Sequence, residues 1–272
     1  MDIGRGNTPT DQTLYEIASV SKTLTGILVA NAVLERKLNL EDNIQNYLED
    51  NYENFEFHGN PIRIKHLVTH TSGMSKFMPE SIITLFEEIN EDLPFKIHEI
   101  QKTYSKKDFL HDLHTVRLDT TPGIKYQYSN IDTELMAEIL ENIYDKRFNE
   151  IVKNYFRKNV GMLNTSIDLP AGKEKFLANG YGMTGKRVPH EVVIYGADGG
   201  VKTTMSDLVN YIEFQLDKTD ETVIESHKTL YHEGNKKMGY YLPIHDSEEY
   251  GTYFRMHGGA FGSQNLLFII PK

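Results

Sequence analysis

The sequence predicts an α+β fold, with α/β as the alternative, in which a mostly helical region precedes a set of C-terminal strands. Apolar residues at helical spacing occupy the middle of the chain, as in "IDTELMAEILENIY", where Leu135, Ile139 and Ile143 fall on one face. Short aromatic or β-branched segments bounded by Gly, Asp or Asn come late, namely "MGYYLPIH", "GTYFRMHGG" and "NLLFIIPK". The order of these signals favours helices first and a sheet afterwards.

The first predicted helix runs from Ser19 to about Lys37. Its residues are apolar with little polar face, which is typical of a helix buried on most sides. The next segment, "LNLEDNIQNYLED", indicates a short solvated helix, whereas "IRIKHLVTHTSGM" fits a strand or a helix equally well. Further on, Pro122 and Gly123 form a turn signal that an aromatic loop follows, "IKYQYSN".

Composition excludes several classes of function. The chain has 272 residues, a formal net charge of −10 and no long basic run, which argues against nucleic acid or an anionic membrane as a partner. It has no cysteine, so disulfides, thiolate metal sites and cysteine nucleophiles are excluded. The most apolar window, "LTGILVANAVLERKL", is too short and interrupted to predict a membrane span. The N-terminus has no signal-peptide pattern, so the chain as given reads as cytoplasmic, although its native compartment is not determined.

The segment "YEIASVSKTLTG" places Ser19 three residues before Lys22. Positions three apart share a helical face, so the hydroxyl and the amine can approach each other. A helix N-terminus also favours negative charge developing on the serine oxygen. An apolar turn behind Lys22 would favour its neutral amine, which can accept the serine proton. The alternative is an exposed lysine after an N-cap serine, and this spacing alone does not exclude it.

A second candidate element is Tyr128-Ser129-Asn130, which follows the Pro-Gly turn and precedes a helix. A phenol can transfer a proton when cations lie nearby, and an asparagine amide can bind a substrate carbonyl. Two alternatives remain open from the residues alone. Tyr128 could be a packed aromatic residue with Tyr126 as its equal, and Asn130 could be a helix cap.

The third element is "RMHGGAFGS", with His257, Gly258 and Gly259 at the end of a predicted strand. Two glycines allow a substrate backbone to lie close to the strand, and the amide of Ala260 can donate a hydrogen bond. Together with the amide of Ser19 it would form an oxyanion hole. The alternative is a histidine at a strand end before an ordinary glycine turn.

These segments, taken together with "HLVTHTSGM" and "YGADGGVKTTMSDLVNYI", resemble the serine β-lactamase-related family, in particular its class C-like branch. That branch contains class C β-lactamases, D-alanyl-D-alanine carboxypeptidases, D-aminopeptidases and β-lactamase-like esterases. The matching segments occur in the family's order from about Tyr15 to the C-terminus. The resemblance implies an α+β, β-lactamase/transpeptidase-like fold: one catalytic domain over residues 1–272, with a mostly helical subdomain at about 40–190 and a sheet-containing part at 1–39 and 191–272.

The resemblance also implies a role for each motif residue. Ser19 would be acylated, with Lys22 as its proton partner, and Tyr128 would transfer a proton to the leaving group. Asn130 would bind substrate, as would the strand that contains the residues His257, Gly258 and Gly259. The amides of Ser19 and Ala260 would form the oxyanion hole.

Two features depart from the family pattern. Its third motif in β-lactamases is usually Lys-Thr-Gly, whereas here it is His257-Gly258-Gly259. Without the ammonium and the hydroxyl the site loses groups that would hold a β-lactam carboxylate, which favours a peptidase, amidase or esterase over a true β-lactamase. Family members also extend further at both ends, so the resemblance implies a truncated sheet whose exposed edges promote self-association.

The predicted function is therefore a serine hydrolase that forms an acyl-enzyme on Ser19 and cleaves an amide or ester in a small molecule or peptide. The alternative is a non-catalytic binding protein or an inactive truncated member with the same fold. No cofactor is implied. The pair His111 and His114 is a weak metal half-site without a matching third ligand, so no metal site is predicted.

Overall fold

The computed structural model describes residues 8–271. The first seven residues of the predicted sheet-containing part, and Lys272, lie outside the described residues. The α-helices are α1 Ser21–Leu34, α2 Ile64–Val68, α3 Ser81–Leu85, α4 Leu93–Gln101, α5 Lys106–Asp112, α6 Asn130–Tyr144, α7 Phe148–Asn159, α8 Met205–Leu216 and α9 Glu221–Ser226. Short 3-10 helices span Ala18–Val20, Ile44–Tyr47, Leu113–Thr115 and Glu174–Phe176.

The strands are β1 Tyr15–Glu16, β2 Glu56–Phe57, β3 Asn60–Pro61, β4 Gly180–Tyr181, β5 Arg187–Val188, β6 Lys202–Thr203, β7 Tyr231–Glu233, β8 Lys236–Met238, β9 Pro243–Ser247, β10 Gly251–Ala260 and β11 Ser263–Ile269. Strands β7 to β11 form an antiparallel five-stranded sheet in the order β11-β10-β9-β8-β7. Helices together with an antiparallel sheet confirm the α+β prediction.

Strand β10 shows the alternation expected of a sheet with one buried face. Phe254 and Met256 are buried, as are Gly258 and Ala260, whereas the residues between them are exposed. On the outer side β11 has no hydrogen-bonded neighbour within residues 8–271, and its Phe268 is 45% exposed. Association through this edge stays a prediction.

Helix α1 is buried on nearly every side, as its apolar sequence predicts. All residues from Ser21 to Ala30 are buried, and the helix ends at Leu34 rather than at Lys37. Of the neighbouring segments, the ambiguous "IRIKHLVTHTSGM" contains helix α2. The predicted solvated helix in "LNLEDNIQNYLED" is wrong in extent, because only the 3-10 turn Ile44–Tyr47 forms and Ile44 is fully buried.

The segment "MGYYLPIH" is not one strand, which corrects the sequence-based expectation. Strand β8 ends at Met238, and β9 begins at Pro243. Between them Tyr241 adopts a left-handed backbone with φ 54°. Its amide donates to the Val68 carbonyl at 2.7 Å, and its hydroxyl donates to the Asp132 carbonyl at 2.9 Å. These tertiary hydrogen bonds override the local strand pattern.

The helical and sheet regions share one hydrophobic core. It joins α1, α2 and α6 to β9, β10 and β11, and a separate small cluster consists of Ile82, Leu93 and Ile97 from α3 and α4. Helices α2 to α7 fall within the predicted helical part at about 40–190, whereas α8 and α9 lie in the C-terminal part. The division into these two parts stays a prediction.

Buried His66 predicts that the fold loses stability in mild acid. Burial, with the charges of Lys65 and Arg63, lowers the pKa of His66 from 6.5 to about 4. Its neutral Nδ1 accepts a hydrogen bond from the Arg63 amide at 3.1 Å. The unfolded chain takes up the proton below pH 6.5 and the folded chain only near pH 4, so this stability is present above pH 6.5 and is lost as the pH falls toward 4.

We expect the free energy of unfolding to fall by about 2 kcal/mol for His66 between pH 7 and pH 5, measured by urea unfolding. His66→Gln should reduce this pH dependence, whereas His111→Gln, at an exposed position of α5, should leave it unchanged. Identical pH dependence in the His66→Gln protein and the unaltered protein would contradict the assignment.

Candidate active site

Ser19 lies in the 3-10 turn immediately before α1, between two buried residues. Its predecessor Ala18 has φ 46°, a left-handed conformation that a residue with a β-carbon rarely adopts. Ala18 and Val20 are buried while Ser19 is partly exposed. The sharp turn therefore presents the Ser19 side chain to the adjoining cleft.

Lys22 is fully buried, at 0% exposure, one turn after Ser19. Its Nζ donates to Ser19 Oγ at 3.3 Å and to the Asp198 carbonyl at 2.5 Å. No carboxylate within residues 8–271 forms an ion pair with this amine. The structure thus excludes the alternative of an exposed lysine.

Tyr128 contacts the same oxygen as Lys22. Its hydroxyl donates to Ser19 Oγ at 2.7 Å, and its ring centre is 5.0 Å from Lys22 Nζ. The equivalent candidate, Tyr126, instead stacks its ring against Lys236, with Nζ 3.8 Å from the centroid. Of the two tyrosines, the contact with the serine is made by Tyr128.

Asn130 is the first residue of α6 and is not its cap. The cap is Ser129, whose Oγ accepts from the Asp132 amide at 3.2 Å. The backbone N–H of Asn130 donates to the Lys76 carbonyl at 2.9 Å. Its side-chain Oδ1 is buried without a hydrogen-bond partner among residues 8–271, and the residue lines the cleft. This orphaned acceptor is available to a donor on a bound molecule.

A buried polar cluster of His70, Ser72 and Asp132 packs against the Tyr128 ring. The His70 ring lies 4.7 Å from the Tyr128 ring, and its Nδ1 is 3.3 Å from Asp132 Oδ2. Ser72 donates to the other Asp132 oxygen at 2.5 Å. Burial raises the pKa of Asp132 and lowers the pKa of His70, so the uncharged forms of both are favoured. The cluster packs the tyrosine without adding charge to the site.

Strand β10 runs unusually close to the serine turn at Gly258. A β-carbon there would lie 2.4 Å from the Ile17 carbonyl oxygen and 3.3 Å from the Ser19 nitrogen. No side chain fits without moving the strand. Because the backbones pack this closely, threonine does not fit at this motif position, and the site lacks the hydroxyl that threonine would supply there.

The other residues of the third motif line the cleft beside Ser19. His257 is exposed, and its Nε2 lies 2.6 Å from Gln264 Oε1 on β11. Gly259 pairs with Gln264 across the ladder, and Ala260 ends the strand opposite Ser263. The structure thus brings all the predicted site residues to one cleft, apart from Lys22 and Gly258, which lie directly beneath the serine turn.

The cleft has a volume of about 700 Å³ and contains charges that motif reasoning did not select. Its lining includes two basic residues, Lys236 and Arg255, and two acidic residues, Glu191 and Asp198. Burial, followed by the carboxylates of Asp198 and Glu16, raises the pKa of Glu191 to about 8. Of these two acidic residues, only Asp198 had a sequence signal, since it lies next to glycines in "ADGG".

Asp198 contributes through its backbone. Its carbonyl accepts from Lys22, and its amide donates to Glu134 Oε1 at 3.0 Å. The second oxygen of Glu134 accepts from the Tyr195 amide at 2.9 Å. Burial and the nearby Asp198 carboxylate raise the pKa of Glu134. Glu134 therefore anchors the loop whose carbonyl orients Lys22, a role that the sequence did not indicate.

Within residues 8–271 no group of three or more His, Asp or Glu side chains is arranged to hold a metal ion. No helix in the same range has both the length and the apolar composition that crossing a bilayer requires.

Comparison with known proteins places this geometry in a family. The sequence model of the family described as Beta-lactamase matches residues 1–270. The chain belongs to the Beta-lactamase family. It is 28% identical over 225 residues to a protein named "Beta-lactamase" from Providencia stuartii, covering 80% of this chain and 52% of that protein. It is also 28% identical over 225 residues to "Protein flp" from Staphylococcus aureus (strain NCTC 8325 / PS 47), covering 80% of this chain and 42% of that protein. The chain thus spans about half the length of these curated relatives.

Solved structures show the same fold. A class C β-lactamase superposes with a TM-score of 0.78 at 19% identity, covering 97% of this chain and 77% of the other. The β-lactamase/D-alanine carboxypeptidase from Pseudomonas syringae gives a TM-score of 0.79 at 17% identity, covering 99% and 79%. The expected β-lactamase/transpeptidase-like fold is therefore confirmed, and the chain has the fold of a serine hydrolase of the Beta-lactamase family.

Proposed function

We propose that this chain is a serine hydrolase that forms an acyl-enzyme on Ser19 and cleaves an amide or ester bond. One observation supports the proposal most directly: Ser19 Oγ lies 3.3 Å from Lys22 Nζ and 2.7 Å from the Tyr128 hydroxyl. A serine between an amine and a phenol has both a proton acceptor for attack and a proton donor for the leaving group.

In the proposed acylation, the Lys22 amine nitrogen takes the hydroxyl proton as Ser19 Oγ bonds to the substrate carbonyl carbon. The carbonyl electron pair moves onto its oxygen, and the amides of Ser19 and Ala260 donate to that oxyanion. When the tetrahedral intermediate collapses, the bond to the leaving group breaks. The proton taken by Lys22 then passes through Tyr128 to the leaving nitrogen or oxygen.

Deacylation repeats these steps with water. Water attacks the acyl ester, its proton passes to the Lys22 and Tyr128 pair, and the acid product leaves as Ser19 Oγ regains a proton. The chain's own residues supply every proton transfer in this scheme.

We further propose that peptides or esters are better substrates than β-lactams. His257 stands where β-lactamases of the family usually have lysine, and its ring nitrogen faces Gln264. Gly258 stands at the threonine position, and a side chain there would collide with the Ile17 carbonyl. At these two motif positions the chain lacks the ammonium and the hydroxyl that would hold a β-lactam carboxylate.

The altered third motif also favours a second candidate function, a binding protein of the same fold without turnover. Such a protein has no need for a proton acceptor beside Ser19, yet Lys22 is buried there and contacts the serine oxygen. Covalent labelling separates the two functions, because a binding protein would not form a bond to the probe.

We expect a fluorophosphonate probe to label the protein once, on Ser19, as measured by intact-protein and peptide mass spectrometry. Ser19→Ala should abolish labelling, whereas Ser226→Ala, at a buried serine of α9 outside the cleft, should retain it. Equal labelling of the folded Ser19→Ala protein would refute the assignment. Turnover of p-nitrophenyl esters exceeding that of a chromogenic cephalosporin would support the esterase or peptidase assignment over β-lactamase.

A further inference from the structure

A side cavity of about 120 Å³ adjoins the catalytic cleft. Its walls are mainly apolar, with Ile82 and Ile97 from the small second cluster and Phe109 from the main core. Six residues line both the cavity and the cleft and mark the passage between the two, and the polar ones among them are Asn130, Glu191 and Asp198. An engineered apolar cavity of about 150 Å³ in another protein is known to bind benzene, so a space of this size accommodates a branched aliphatic side chain.

Glu191 lies close to the nucleophile turn. Its Oε2 is 3.6 Å from the position that a β-carbon on Gly199 would occupy. That same position is 3.7 Å from the carbonyl carbon of Ala18, the residue before Ser19. Gly199 thus leaves an open space between the Glu191 carboxylate and the turn that presents the serine.

The Glu191 carboxylate has no hydrogen bond or ion pair within residues 8–271. Two lysines act on it electrostatically, but each is bonded elsewhere. Lys22 contacts Ser19 and the Asp198 carbonyl, and Lys202 donates to the carbonyls of Ile167 and Gly200.

Negative charges act on Glu191 in addition to the two lysines. The carboxylates of Asp198 and Glu16 lie near enough to raise its pKa, in addition to the effect of burial. In the free protein this raised pKa favours the protonated form of Glu191 at pH 7, and a cation that binds beside the group lowers the pKa and favours the carboxylate. An ammonium group on a ligand would supply that cation and could also donate hydrogen bonds to the carboxylate.

The positions of the cleft and the side cavity indicate how the substrate is oriented. This inference rests on the proposed function. Tyr128 lines the cleft but not the side cavity, whereas Asn130 and Glu191 line both. Because the leaving group receives its proton on the Tyr128 side, the acyl part of the substrate extends the other way, toward the cavity.

We propose that Glu191 is a specificity-determining residue that selects acyl groups bearing an ammonium group next to an apolar side chain. The side chain occupies the cavity, and the ammonium pairs with the Glu191 carboxylate at its mouth. The substrate class is therefore an amide or ester of an apolar α-amino acid, or a peptide with such a residue at its free N-terminus.

Binding to the Ser19→Ala protein tests this without requiring turnover. The ligands are leucinamide, in both enantiomers, and 4-methylpentanamide, which has the same carbon skeleton without the ammonium. We expect calorimetry at pH 7 to show about tenfold tighter binding of one leucinamide enantiomer, the fold-change of one charge-assisted hydrogen bond. Adding Glu191→Gln should bring the ratio of the two affinities close to one.

The controls separate charge from folding. Glu248→Gln, at an exposed position outside the cleft, should keep the tenfold ratio. Glu191→Asp retains the charge on a shorter side chain and should keep part of the preference. A ratio near one in the Ser19→Ala protein, a full preference after Glu191→Gln, or no binding of leucinamide at millimolar concentration would each overturn the proposal.

The two proposals fail separately. If Ser19 is not labelled by the fluorophosphonate but leucinamide still binds in a Glu191-dependent manner, the hydrolase assignment fails and the recognition site stands. If Ser19 is labelled and the two ligands bind equally, the hydrolase assignment stands and the role of Glu191 is wrong.

Discussion

Replacing Lys22 with methionine is expected to lower the rate of Ser19 acylation by about three orders of magnitude, since a positioned proton acceptor contributes about 10² to 10⁴ in rate. Lys22 Nζ lies 3.3 Å from Ser19 Oγ. Within residues 8–271 its other hydrogen bond goes to a backbone carbonyl, that of Asp198. In the proposed scheme no other side chain at the serine is an amine, so nothing replaces its role in the first proton transfer.

Lys22→Met should lower the activity without lowering the free energy of unfolding. Lys22 is fully buried without an ion-pair partner in the described part of the chain, and burying such a group is costly. Methionine has a similar length and fills the same space with apolar atoms. A loss of labelling together with unchanged urea unfolding would therefore assign the effect to chemistry rather than to folding.

Lys37→Met is the matched control, because this lysine follows the other end of α1 and is 43% exposed. The fluorophosphonate should label the Lys37→Met protein at the rate of the unaltered protein. The rate is measured by mass spectrometry of reactions quenched at successive times. A folded Lys22→Met protein that is acylated at the unaltered rate would show that another group accepts the proton.

Replacing Gly26 with alanine is expected to lower the free energy of unfolding by about 3 kcal/mol, the upper part of the usual range for overpacked interiors. A β-carbon at Gly26 would lie 2.0 Å from the Tyr240 carbonyl oxygen and 2.9 Å from its carbonyl carbon. Both obstacles are backbone atoms of a buried residue, so no side-chain rotation relieves the collision.

The sign of this effect is informative. Alanine forms helices better than glycine by about 1 kcal/mol, so helix propensity alone predicts a more stable protein. Urea unfolding of Gly26→Ala should instead show a large loss, whereas Lys107→Ala at an exposed position of α5 should change stability by less than about 0.5 kcal/mol. Increased stability of Gly26→Ala would mean that α1 and the segment after β8 are packed less closely than described.

Gly26 also determines where the catalytic residues of helix α1 lie. Helix α1 begins two residues after Ser19 and contains Lys22, and Gly26 lets it lie flush against the link between β8 and β9. The position of the serine and the lysine relative to the sheet therefore depends on a glycine that has no part in the chemistry.

Much of the fold class was predictable because local patterns are strong where one side of an element is uniformly buried. The apolar segment after Ser19 predicted a buried helix, and Ser21 to Ala30 are all buried. Prediction failed where long-range hydrogen bonds compete with local preference. Tyr240 and Tyr241 look like strand residues, yet Tyr241 bonds to Val68 and Asp132 and interrupts the strand.

The sequence by itself determined the family motifs and the short-range geometry between Ser19 and Lys22, because three residues along one helical turn face the same way. Only the tertiary structure showed that Tyr128, and not Tyr126, contacts the serine oxygen. Only it placed Asp198 and Glu191 in the cleft and bonded Glu134 to the Asp198 amide. These residues are distant along the chain, so their contacts arise from packing of separate elements, which no local spacing encodes.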